Sequence, residues 1–116
     1  MKIYGIKNCN TVKKALDWFK VNNIAYDFHD FKKLGISESK LEQWAAQTGW
    51  EALLNKRGTT WKKLYIAMQN SITSKQEAFK LMKKKTSIIK RPVIETDKGV
   101  VLGFDELAYK KLFSQE

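Results

Sequence analysis

The residue best equipped for covalent chemistry is Cys9, the single cysteine of the chain. It sits in Lys7-Asn8-Cys9-Asn10-Thr11, a turn-forming run directly before a stretch with helical periodicity. A sulfur at a helix start meets backbone N–H groups that lack an intrahelical acceptor, together with the positive end of the helix dipole. Both favour a thiolate and lower the thiol pKa. Lys7, Lys13 and an arginine supplied by the fold would add to that effect. The competing reading is a buried cysteine acting as a small hydrophobe. Asn8, Asn10 and Thr11 make a poor core segment, and the residues alone leave the two readings level.

Arg91-Pro92 is the second feature. Proline at the start of an apolar strand can simply mark a strand edge. A cis X-Pro bond facing a reactive cysteine would instead present backbone groups to a peptide-like substrate. Arg91 would then bind an anion or steady the thiolate. Arg57, in the loop over residues 55–60, is a further anion-binding candidate, although an exposed loop arginine is also at home in water. His29 is the sole histidine, beside Asp27 and Asp30, and reads as a surface residue. No P-loop, dinucleotide fingerprint or convincing carboxylate pair is present. One cysteine can form neither an internal disulfide nor a structural zinc site, so no metal is expected.

The elements that must position these residues follow from periodicity. Residues 2–6 read as a strand. Val12, Ala15, Leu16 and Phe19 fall on one helical face, and Asn22-Asn23 ends that helix. Residues 24–31 alternate as a second strand. Ser37 caps a helix carrying Leu41, Trp44 and Ala45, with Gly49 at its end. Residues 50–54 read as a short turn, residues 61–68 as one short helix, and Ser74 to Glu77 as a capping box before Ala78, Leu81 and Met82. Two β-rich runs around Asp97-Lys98-Gly99 make a hairpin, and a last helix spans about residues 105–113. The order is β-α-β, a helical insert over about residues 37–85, then β-β-α. The expectation is a single α/β domain over residues 1–116 with a mixed four-stranded sheet.

The chain has 116 residues and a net charge of +10. Its lysines come mostly in pairs along the chain rather than in one basic tail with interleaved aromatics, so they read as solvated helix faces. Lys83 to Lys85 suit a helix C-terminus. No basic-aromatic groove is legible, so direct nucleic-acid binding is not expected. The N-terminal MKIYGIKNCN lacks the apolar run of a signal peptide, and no stretch reaches membrane-spanning length. The expectation is a cytoplasmic protein that does not contact membrane. Without a coiled-coil seam, a monomer is the default.

Four blocks carry a family resemblance: Tyr4-Gly5-Ile6-Lys7-Asn8-Cys9 with Thr11 and Lys13-Lys14-Ala15; Gly49-Trp50-Glu51-Ala52-Leu53-Leu54-Asn55 running into Arg57-Gly58-Thr59-Thr60-Trp61; Ile88-Ile89-Lys90-Arg91-Pro92-Val93; and Val101-Leu102-Gly103-Phe104. In this order, over nearly the whole chain, they resemble the arsenate reductase/Spx/MgsR family, and within it the YffB-type glutathione-dependent thiol reductases. The resemblance implies a thioredoxin-like fold with a helical insert, Cys9 as nucleophile, Arg91 beside it and a cis Pro92. It implies no tightly bound cofactor, glutathione as co-substrate and glutaredoxin as a possible partner. Lys7, Asn8, Thr11, Arg57 and Pro92 would line the glutathione or substrate site. The family's third oxyanion-binding arginine falls near Gly103 here, which cannot replace it. Spx-type regulators carry a C-x-x-C switch and bind RNA polymerase. Val12 stands at the second cysteine position, although an adaptor role contacting RNA polymerase without turnover is the alternative.

Overall fold

The N-terminal strand forms as β1 (Lys2–Gly5), and the helix behind Cys9 as α1 (Asn10–Val21). In the computed structural model, which describes residues 1–113, Met1–His29 and the chain from Arg91 onward form one unit, and Asp30–Lys90 form a second. The strand expected over residues 24–31 is shorter, β2 (Asp27–Asp30). Asp30 ends it: its side chain accepts the Lys32 N–H at 2.9 Å and caps α2 (Phe31–Leu34), a turn that periodicity did not reveal. The hairpin forms as β3 (Val93–Thr96) and β4 (Gly99–Leu102). The mixed sheet has the order β2-β1-β3-β4. β3 is antiparallel to both neighbours, with Tyr4 opposite Val93 and Val93 opposite Leu102.

The sheet's core collects Ile3, Ala15, Phe19, Ile94 and Tyr109, all fully buried. Burying an isoleucine or phenylalanine side chain of this kind stabilises the fold by about 1.5–3 kcal/mol. Phe19 and Tyr109 stack at 5.3 Å, and Trp18 meets both edge-on. Tyr109 lies on the last helix, now α7 (Glu106–Phe113), whose start is held by the Asp105 carboxylate accepting the Ala108 N–H. Its hydroxyl donates to the Gly103 carbonyl, so even this buried phenol is satisfied. Gly5 fixes the approach of α1 to β1. A Cβ there would lie 2.9 Å from Val12 Cγ2, closer than real contacts allow, so only glycine lets α1 settle at this depth.

The second unit is helical. It contains α3 (Glu38–Thr48), a 3-10 turn over Glu51–Leu53, α4 (Thr59–Lys62), α5 (Ile66–Ser71), α6 (Lys75–Lys84) and a 3-10 turn over Thr86–Ile88. Ser37 and Ser74 cap α3 and α6 as their sequence contexts require. The single helix expected over residues 61–68 is instead two, because the chain breaks at residues 63–65 and Tyr65 takes an extended conformation. Leu41, Trp44, Phe79, Met82 and Ile88 fill the core, with Phe31 edge-on to Trp44. Paired backbone bonds, Asn55 N–H to Ile88 O and Lys90 N–H to Leu53 O, both 2.8 Å, tie the residue 51–55 segment to the unit's end. No helix among the described residues is long and apolar enough to cross a membrane.

Candidate active site

Cys9 is the N-cap residue of α1. Its backbone is extended (φ −100°, ψ 123°), and its carbonyl accepts the first helical bond from Lys13 N–H at 3.0 Å. A neutral thiol is a weak acceptor, so a preferred capping oxygen is replaced by a sulfur that satisfies the helix start well only when ionised. The sulfur is half-buried.

Opposing forces set the acidity of this thiol. Burial, the largest single influence, pushes its pKa up. The Val12 N–H, the Arg91 guanidinium through both hydrogen bond and charge, and the Thr11 N–H together outweigh burial and hold it below the ordinary thiol value. The donors are amides at the second and third positions of the helix, where cap side chains ordinarily bond. Thr11 was singled out in the sequence and Val12 was not. Counting two and three residues onward from Cys9 would have found both, because the contribution comes from the backbone rather than from residue type.

Arg91 comes from the segment just before β3. The Arg91–Pro92 peptide bond is cis. Pro92 is buried, and its carbonyl accepts the Gly103 N–H at 2.8 Å. β3, which begins at the next residue, has a partner on both sides. Lys7, Asn8 and Thr11 are exposed on the segment around Cys9, where they can meet an incoming anion. Gly103 has φ +77°, in the left-handed region. An arginine there would be strained, so the missing third cation is matched by a local backbone that favours glycine.

Arg57 belongs to the helical unit. It is exposed, and its N–H donates to the Asn55 side-chain oxygen at 3.2 Å in a tight polar turn. Gly58 closes that turn, since a Cβ there would fall 2.8 Å from Asn55 Nδ2. His29 is half-buried rather than plainly on the surface, its ring 4.8 Å from that of Tyr4. The Tyr4 hydroxyl donates to Glu95 Oε1 at 2.9 Å, and burial with that carboxylate pushes the phenol pKa well up.

The chain as a whole has counterparts among known proteins. The model for the ArsC family matches residues 4–112. An uncharacterized protein of Haemophilus influenzae is 41% identical over 112 residues, 97% of each chain. The global transcriptional regulator Spx of Listeria innocua is 24% identical over 106 residues, 90% of this chain and 79% of that protein. Among solved structures, a YffB protein superposes with a TM-score of 0.88 at 42% identity, covering 95% of this chain and 96% of its own. An arsenate reductase related protein from Brucella melitensis gives 0.77 at 40% identity, covering 97% and 93%. With its family model spanning first strand, cysteine loop, helical unit and hairpin alike, this thioredoxin-like chain belongs to the ArsC family.

Proposed function

We propose that the protein is a glutathione-dependent thiol oxidoreductase with Cys9 as its nucleophile. The observation that supports this is the environment of one sulfur: two helix-start N–H groups and the Arg91 guanidinium converge on a half-buried thiol and lower its pKa. In the first step the Cys9 thiolate attacks a sulfur of a glutathione mixed disulfide. A Cys9–glutathione disulfide forms, and the other thiol leaves as a thiolate stabilised by protonation. A second glutathione thiolate then attacks the bound glutathione sulfur, releasing oxidised glutathione and restoring the Cys9 thiolate. The mixed disulfide is thereby reduced by two electrons to a free thiol, and one glutathione is consumed, leaving as oxidised glutathione joined to the glutathionyl group taken from the substrate. Glutaredoxin is the natural partner for clearing the mixed disulfide. Arg91 holds the sulfur anionic, while Lys7 and the exposed polar groups of Asn8 and Thr11 meet the carboxylates and peptide groups of glutathione. Arsenate is expected to turn over poorly, because Gly103 supplies no oxyanion contact.

Intact-mass analysis after exposure to oxidised glutathione tests the reading. The wild-type chain should gain one glutathionyl group and Cys9→Ser none. A wild-type chain that stays unmodified at neutral pH would sink it. The similarity to Spx keeps a second reading in view, a regulator-like role in which the fold serves protein contact with a partner such as RNA polymerase. That reading requires no glutathione capture, and the same experiment separates the two.

A further inference from the structure

Within the helical unit lies an open cavity of about 630 Å³, lined by Lys32, Lys63, Lys83, Lys84 and Lys85. Its remaining polar surface is hydroxyl-rich, and the Thr60 and Ser87 hydroxyls hydrogen-bond each other at 2.8 Å across 27 residues of chain. Phe31, almost fully buried, and Leu64 add apolar wall. Among the described residues, no carboxylate lines the space. The ion pair of Lys83 with Glu38, at 3.7 Å, joins two exposed side chains and is weak. The lysines were read as solvated helix faces, and all five are exposed. Folding also gathers them, from α2, from the end of α4 and from the end of α6, around one hollow.

The C-terminus of α6 accounts for Lys83 and Lys84, which offset its carbonyl ends. It does not account for Lys32 and Lys63, which come from other stretches of chain and face the same space. Like charges held around one concavity repel, and several negative charges placed among them relieve that repulsion. The volume falls within the range of small-molecule sites, about 300–1,000 Å³. A concave shape of this size, without an exposed aromatic platform, suits a compact anion better than an extended nucleic-acid backbone. Ammonium groups beside hydroxyls are point donors suited to phosphate oxygens. We infer that this cavity binds an oligophosphate of nucleotide size, a function separate from the chemistry of Cys9.

Titration calorimetry at low ionic strength tests the inference, using metal-free ATP and inorganic tripolyphosphate as probes. Both should bind one to one, with tripolyphosphate displacing ATP, and added salt should weaken binding. Lys63→Ala/Lys84→Ala, two exposed positions, should weaken ATP binding by about tenfold or more, since each removes one charge-assisted contact. Lys110→Ala/Lys111→Ala removes equal charge outside the cavity and should leave affinity within about twofold if diffuse attraction is unimportant. A thermal melt of each variant confirms folding. Equal losses in the two double variants, absence of ATP binding, or failure of tripolyphosphate to displace ATP would overturn the inference. So would a short single-stranded RNA that binds more tightly than ATP and loses affinity with the same two lysines, which would make the cavity part of a nucleic-acid surface.

Discussion

The starts of α1 and α6 pose the same electrostatic problem and solve it oppositely. At α6, Ser74 and Glu77 form a capping box: the Ser74 oxygen accepts from Glu77 N–H, and the Glu77 carboxylate accepts from the hydroxyls of Ser74 and Thr73. A permanent anion and a good acceptor neutralise that helix end. At α1 the cap position holds a thiol, there is no acidic residue in the first turn, and Arg91 adds another cation beside the sulfur. The positive end of α1 is left in want of an anion, and the anion it favours is the reactive thiolate. One helix start is neutralised by its cap, and the other favours an ionised thiol.

The largest expected break in this contrast is Cys9→Ser. Glutathione capture and reductase turnover should vanish, yet below the thiol's folded pKa the protein should not lose stability, because serine is among the preferred N-cap residues and alanine-type losses of about 1 kcal/mol do not apply. The stability difference from wild type should depend on pH. The folded thiol pKa lies below its unfolded value, so the wild-type advantage from ionisation is present above the unfolded pKa and is lost as pH falls through the folded one. Urea melts of both proteins across neutral to alkaline pH measure this, and a difference that shrinks with rising pH would contradict it.

Arg91→Ala should move the Cys9 thiol up toward its ordinary pKa and slow glutathione capture at neutral pH by roughly three- to tenfold, the loss of one charge-assisted bond at a half-exposed group. Alkylation by iodoacetamide as a function of pH reads the shift directly. An unchanged profile would mean that the helix start alone sets the acidity. Transplanting the thiol tests the same point from the other side. In a Cys9→Ser background, Ser74→Cys places a cysteine at a helix start beside Glu77 and away from any arginine in that cap. It should alkylate no faster than an ordinary thiol. If it matches Cys9, the contrast drawn here fails. The smallest effect belongs to Ser74→Ala, which should cost about 1 kcal/mol in a denaturant melt and leave glutathione capture untouched.

Much of this was legible in the sequence because local rules carried it. The apolar face of α1, the Ser37 and Ser74 caps and the hairpin around Asp97-Lys98-Gly99 are short-range patterns, and each formed. Where a competing local interaction intervened, periodicity misled. Asp30 preferred to cap α2 and cut short the second strand, although Ile24 and Tyr26 still pack on the core as an alternating segment would. The break between α4 and α5 left no comparable mark. Cys9 could be named but not assigned from residues alone, since its acidity depends on Arg91, which lies 82 residues later in the sequence. The lysine-lined cavity was illegible for the same reason: its cations are scattered in sequence and gathered only by folding.

That separation along the chain has a consequence for biogenesis. Arg91 follows the whole contiguous stretch Asp30–Lys90, so during synthesis from the N-terminus Cys9 emerges long before its cationic neighbour. The intervening unit is continuous in sequence and is free to gather first, whereas the sheet requires β3 to slot between β1 and β4 at the end. Until that last insertion the thiol lacks one of the partners that lower its pKa. A nascent chain is thereby born with a more ordinary thiol, and completion of the fold is what acidifies it.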